Sequence, residues 1–196
     1  MGQELRQPPR KLAQINVLIV CTANQCRSPM AEGILRHRVE GSDLDVHVSS
    51  AGIMQGGAPA TDHAVSVCAD RGVDITGHVS RRLDRSIVDG ADLIICMARE
   101  HLREVVVTSS PAFERTFTLR ELVRRIEANP QASIAELHAG RQLADYVKGD
   151  PNDDVADPVG KPRSRYEETA WQLEGLLTRV ATWLPNLGDQ ARRAAS

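Results

Sequence analysis

Two kinds of hydrophobic pattern alternate along this chain. Short, unbroken apolar runs rich in β-branched residues occur at Ile15–Cys21 (INVLIVC) and Asp92–Met97 (DLIICM). Runs of that length without a polar alternate are the mark of strands buried on both faces, as in a parallel sheet. Asp45–Ser50 (DVHVSS) alternates like a half-covered strand and stops at Ala51-Gly52, and Arg115–Leu119 is a weaker strand. Between these lie segments with helical spacing. Ser28-Pro29 opens Met30–Glu40, with proline in the first turn, where its missing N–H costs nothing. Ala60–Arg71 ends at Gly72, a short helix covers Arg99–Val107, and Leu119–Lys148 reads helical with an interruption at Pro130. Ser164–Leu184 carries the clearest stripe, Tyr166, Ala170, Leu173, Leu177, Val180, Ala181 and Leu184, and Pro185 is its expected end. Strands alternating with helices predict an α/β three-layer sandwich: a four-stranded parallel sheet with helices on both faces. One domain over residues 15–187 accounts for these elements, with a flexible arm at 1–14, a flexible tail at 188–196, and a helical insertion at 119–150.

Composition adds exclusions. The 196 residues hold 24 Lys+Arg against 26 Asp+Glu, a net charge of −2 that excludes a dedicated nucleic-acid binder. No apolar run approaches the ~20 residues of a membrane span, and Met1–Gln14 has no secretory pattern. The expectation is a soluble, cytoplasmic protein. Oligomeric state leaves no trace in the sequence. The four cysteines, Cys21, Cys26, Cys68 and Cys96, are too few and scattered for a disulfide scaffold or a zinc knuckle. Asp150, Asn152 and Asp154 have the spacing of a calcium loop, but Val155 and Lys161 stand where its glycine and closing glutamate belong. No metal site is expected. Aromatic residues make up only 3% of the chain, so a ligand site here is poor in stacking surface.

In a parallel sheet, ligands sit beyond the carboxyl ends of the strands. The first strand ends in Cys21-Thr22-Ala23-Asn24-Gln25-Cys26-Arg27-Ser28-Pro29. A tight loop entering a helix turns its backbone N–H groups inward and forms an anion cradle. Thr22 to Ser28 would supply those amides, and Arg27 a planar fork for two oxygens of a tetrahedral oxyanion. The same positive field favours a Cys21 thiolate, the nucleophilic form, and the Ser28 hydroxyl is placed to donate to it.

CTANQCRSPMAE resembles the signature of the low-molecular-weight protein tyrosine phosphatases, C-x₅-R-S-P followed by a small residue and Glu. The likeness continues through Ser50-Ala51-Gly52, Gly77-His78 and Ile95-Cys96-Met97 to Asp157-Pro158. It implies phosphate-monoester hydrolysis through a phosphocysteine, without metal or other cofactor, on a phosphorylated protein substrate. Asp157 matches the family's general acid. Asn24, Ser28 and His78 match residues that shape the loop, and Cys26 the position of a second loop thiol able to pair reversibly with Cys21, with core filling as its other reading. Cys68 and Cys96 are expected in the core, and the five other histidines on the surface.

The chain departs from the family where tyrosine-specific members place cleft aromatics. Met54 follows the Ser-Ala-Gly turn and Val159 follows Asp-Pro, and position 25 is Gln. Protein-arginine phosphatases of the family share the surrounding wording but carry Thr at that position. Phosphotyrosine and phosphoarginine both stay open as substrates. A thiol-redox role of the arsenate-reductase type requires resolving cysteines on a mobile segment, and neither Cys68 on its helix nor Cys96 in its strand fits. A binding module without turnover is opposed by the presence of both Cys21 and Asp157.

Overall fold

The computed structural model describes residues 14–144 and 150–194, with side chains to 188. Residues 1–13, most of the predicted N-terminal arm, lie outside this range, as do 145–149 at the end of the predicted insertion. Four strands form one sheet: β1 Ile15–Cys21, β2 Val46–Gly52, β3 Leu93–Cys96 and β4 Thr116–Thr118. Their order is β2-β1-β3-β4 and every pairing is parallel, with Ile15 opposite Val46 and Val17 opposite Leu93. The helices are α1 Arg27–Val39, α2 Asp62–Ala69, α3 Arg85–Asp89, α4 Arg99–Thr108, α5 Leu119–Ala128, α6 Ile134–His138 and α7 Arg163–Ala194. Short 3₁₀ turns cover Ser110–Arg115 and Pro151–Asp153.

The apolar runs are buried on both faces, and the period of two sorts them. Val17, Ile19, Leu93, Ile95 and Phe117 join the larger core, packed with α1, α2, α5 and α7. Leu18, Val20, Ile94 and Cys96 join a second core under α3 and α4. The three-layer sandwich follows directly from that alternation. Cys68 and Cys96 are fully buried, and burial pushes the Cys68 thiol up to about 12 and that of Cys96 further still.

Three boundaries differ from the expectations. Helix α7 passes through Pro185 and continues to Ala194, so the segment read as a flexible tail begins as helix. A proline inside a helix loses one hydrogen bond and strains the preceding turn. Here Trp183, Leu184 and Leu187 keep the apolar stripe on the core, and Trp183 Nε1 and Asn186 Nδ2 donate to the carbonyls of Ala132 and Pro130 on either side of the proline. The predicted 119–150 insertion is two things. Helix α5 belongs to the main core through Leu119, Leu122, Val123 and Ile126. The chain breaks before Pro130, and α6 starts afresh with a Ser133–Glu136 capping box. This second part is pinned by Arg141, buried between the rings of Phe113 and Phe117 and paired with Glu121. Helix α1 begins three residues earlier than expected, at Arg27, which brings that side chain into the helix's first turn.

Candidate active site

The loop between β1 and α1 has nearly all its carbonyls bonded outward. Cys21 O and Thr22 O accept from the backbone N–H of Ile53 and Met54 (3.2 and 3.0 Å), and Gln25 O accepts from Thr61 N–H (2.9 Å). His78 Nε2 is 2.7 Å from Asn24 O. In a trans peptide the N–H points opposite to the C=O, so loop amides are left facing inward. Helix α1 has no side-chain cap at Cys26, which leaves its first N–H groups to the same interior. The loop lies so close to β2 that a Cβ on Gly52 would stand 2.8 Å from Asn24 N and Thr22 O. Glycine at position 52 is therefore a requirement of the neighbouring loop.

Asn24 holds the turn. It adopts φ +56°, a left-handed conformation that asparagine tolerates better than most residues. Its amide donates to Ser28 Oγ and Ser50 Oγ, each at 2.8 Å, and its Oδ1 accepts from Arg81 N–H (2.9 Å). Because Ser28 accepts from Asn24, its own proton is free for Cys21 Sγ, 2.9 Å away. The Asn24 N–H is also 3.3 Å from that sulfur. Ser50 passes its proton on to Glu32 Oε2. A polar chain thus runs from the sulfur through Ser28, Asn24 and Ser50 to a carboxylate at the back.

Arg27, at 4% exposure, donates from Nη1 to Val155 O (3.1 Å), from Nη2 to Thr22 Oγ1 (3.0 Å), and pairs with Asp157. Its Nε is buried without a partner among the described residues. Asp157 comes from 130 positions away. It is positioned by anchors on both sides: Val155 N–H donates to Met97 O (2.7 Å), Asp154 is gripped by Arg99 (3.0 Å), and Val159 N–H donates to Asp157 Oδ1 (3.1 Å). Asp153 is held by Arg124. In the acidic loop read in the sequence as a rejected calcium site, Asp153 and Asp154 are paired with arginines and Asp150 accepts from the Asn152 N–H (2.9 Å).

Cys21, Asn24, Cys26, Arg27 and Ser28 are buried, while Thr22, Ala23 and Gln25 are half-buried at the mouth. Cys26 Sγ lies 3.1 Å from Thr61 Oγ1, and burial raises its pKa against the hydrogen bonds of Thr61 and Tyr166. Met54 and Val159, where cleft aromatics were missed, are 56% and 50% exposed. They leave the rim without rings.

One residue was assigned wrongly from sequence. His101, expected at the surface with the other unclustered histidines, is fully buried, and its Nε2 is 3.0 Å from Thr22 Oγ1. Burial, reinforced by the charge of Arg27, pushes its pKa down to about 3, so the ring is neutral near pH 7. It therefore buttresses the hydroxyl that receives Arg27. The signal available in the sequence was its position in the first turn after β3, beside the same carboxyl-end edge as the cradle.

Comparisons agree with this geometry. A family model described as "Low molecular weight phosphotyrosine protein phosphatase" matches residues 16–135. The chain is 30% identical over 171 residues to a protein-arginine-phosphatase of Bacillus subtilis, covering 87% of this chain and 97% of that one. It is 31% identical to a probable low-molecular-weight protein-tyrosine-phosphatase, EpsP, of Ralstonia nicotianae, covering 87% and 94%. Among solved structures, a YwlE mutant from Bacillus subtilis superposes with a TM-score of 0.69 at 30% identity, over 87% of this chain and 99% of that one. A low-molecular-weight protein tyrosine phosphatase from T. tengcongensis gives 0.67 at 33% identity, over 85% and 97%. A cysteine and an arginine around an inward-facing amide loop, an aspartate brought to its mouth, and a match over most of the chain lead to one assignment: this protein belongs to the low-molecular-weight protein tyrosine phosphatase family.

Proposed function

We infer that the chain is a cysteine-dependent protein phosphatase acting through a phosphocysteine. The Cys21 thiolate attacks phosphorus, forming an S–P bond as the P–O bond to the leaving group breaks. The Asp157 carboxyl gives its proton to the departing oxygen. Asp157 then takes a proton from water as that water attacks the phosphocysteine, releasing inorganic phosphate and restoring the thiolate. Loop amides and the Arg27 guanidinium carry the charge of the transferring phosphoryl group. The Arg27–Asp157 pair must part for this, and an incoming phosphate dianion replaces the carboxylate on Arg27. The observation that carries the reading is the meeting of Cys21, Arg27 and Asp157 at one loop whose amides face inward.

Phosphotyrosine is the first substrate class. Phosphoarginine is the second, favoured by one feature: Met54 and Val159 leave the rim without aromatic rings, withholding stacking worth about 0.5–1.5 kcal/mol per contact from a phosphotyrosine. In that case the bond broken is P–N, and the Asp157 proton goes to nitrogen. Side-by-side kcat/KM values for phosphotyrosine and phosphoarginine peptides decide between them. For the mechanism, Asp157→Ala is expected to slow turnover of a phosphopeptide by roughly 10²–10⁴-fold while substrate still binds. A variant with unimpaired kcat removes Asp157 from the mechanism.

A further inference from the structure

Beyond Asp157, the cleft opens into a groove of about 820 Å³ between the Asp-Pro turn, the start of α5 and one face of α7. Ala156, Asp157 and Pro158 form its near wall, so it is continuous with the catalytic mouth, where Ala156 and Asp157 also stand beside Arg27. Charges in the groove are unevenly satisfied. Each of its anions already has a cation: Asp157 has Arg27, Glu167 has Arg163, and Glu168 has Arg165. Two of its cations, Arg120 and Lys161, have no anion among the described residues, and Arg120 Nε is buried without any hydrogen-bond partner. At the far end stands Trp171, 75% exposed, the largest apolar side chain on the described surface.

A half-buried arginine with an unmet donor and a lysine lining the same groove lack a carboxylate that the described residues do not provide. An exposed tryptophan at the end of the same groove offers a flat apolar face to a bound chain. We propose that this groove binds an acidic peptide segment adjoining the phosphorylated residue of a protein substrate, with its carboxylates on Arg120 and Lys161 and its backbone crossing Trp171. The inference rests on the phosphatase reading and adds to it what the bare cradle lacks, a means of choosing among phosphoproteins. It also gives the missing aromatic rim a counterpart, because substrate affinity is then drawn from the segment beside the phosphoresidue.

The test uses the whole protein with three substrates: an aryl phosphate, a phosphotyrosine peptide flanked by Glu and Asp, and the same peptide with Gln and Asn. The wild-type protein is expected to favour the acidic peptide by roughly two- to thirty-fold in kcat/KM, the range of two partly exposed ion pairs. The preference lies mainly in KM and shrinks at high salt. The double variant Arg120→Gln/Lys161→Gln abolishes it and leaves aryl phosphate turnover unchanged. Trp171→Ala lowers kcat/KM for both peptides alike. Equal rates on the two peptides, or a preference that survives in the double variant, overturns the proposal. A variant that loses aryl phosphate turnover in parallel overturns it too, by showing that the groove only supports the Asp157 turn. Should the wild-type protein fail to hydrolyse any of the three, the phosphotyrosine form of the phosphatase reading falls by itself. Peptide affinity followed by Trp171 fluorescence still decides the groove, with tighter binding of the acidic peptide supporting it and equal binding refuting it.

Discussion

Asn24 is the residue on which the cradle's shape depends most, and its replacement separates backbone from side-chain contributions. Asn24→Ala removes three buried side-chain hydrogen bonds, to Ser28, Ser50 and the Arg81 N–H. At about 1 kcal/mol net each, that is about 3 kcal/mol. Alanine must also take the φ of +56°, which costs about 1–2 kcal/mol more. The expected loss is therefore about 4–5 kcal/mol. Asn24→Gly loses the same hydrogen bonds but escapes the backbone penalty, and pays instead about 0.4–1 kcal/mol for a more flexible unfolded chain. The glycine variant is thus expected to be the more stable of the two by about 0.5–1 kcal/mol, which reverses the usual order of alanine and glycine. Urea denaturation with a common slope reads both differences. In both variants Ser28 loses the donor that orients its proton toward Cys21, so kcat/KM falls about 10–100-fold, with 1.4 kcal/mol per factor of ten. An alanine variant at least as stable as the glycine variant, or either within 1 kcal/mol of wild type, refutes the assignment of Asn24 as the clamp of this loop.

Two further predictions concern buried charge and a buried imidazole. His101 has a folded pKa depressed to about 3 from an ordinary 6.5, so the unfolded chain binds the extra proton and stability falls as pH drops from about 6.5 toward 3. Urea melts of wild type and His101→Gln at pH 7 and pH 5 should show the larger acid loss in wild type; equal losses refute the burial of a neutral ring. Arg141→Met removes the buried guanidinium that pairs with Glu121 in the core and is expected to cost about 3–5 kcal/mol. Thermal or urea unfolding measures this, and the double variant Arg141→Met/Glu121→Leu recovers part of the loss; no recovery would show that the ring contacts with Phe113 and Phe117 dominate.

Most of the frame was legible because it rests on local periodicity. INVLIVC and DLIICM can be buried on both faces only in a covered parallel sheet, and the step from Cys21 to Pro29 announces the cradle by its own spacing. What the sequence hid depends on distant partners. Pro185 looks like a helix end until the carbonyls of Pro130 and Ala132 hold Asn186 and Trp183 around it. His101 resembles any exposed histidine on a charged helix until Thr22, 79 positions earlier, is brought against it. Asp157 as the general acid of the cradle is implied only by the family resemblance, and no local pattern announces its pairing with Arg27, 130 positions away. Arg120 and Lys161 are ordinary surface cations in sequence, and only the tertiary arrangement leaves them beside the same groove with no anion among the described residues.

The central claim is that the Cys21 sulfur carries the phosphoryl group. Rapid mixing of the wild-type protein with an aryl phosphate, followed by acid quench and mass spectrometry of the peptide spanning residues 15–27, tests it directly. The account predicts one phosphoryl group on Cys21 at early times, accumulating further in Asp157→Ala with a good leaving group, and no phosphorylated peptide and no turnover in Cys21→Ala. Undiminished hydrolysis by Cys21→Ala, or phosphate found on another residue, would contradict it.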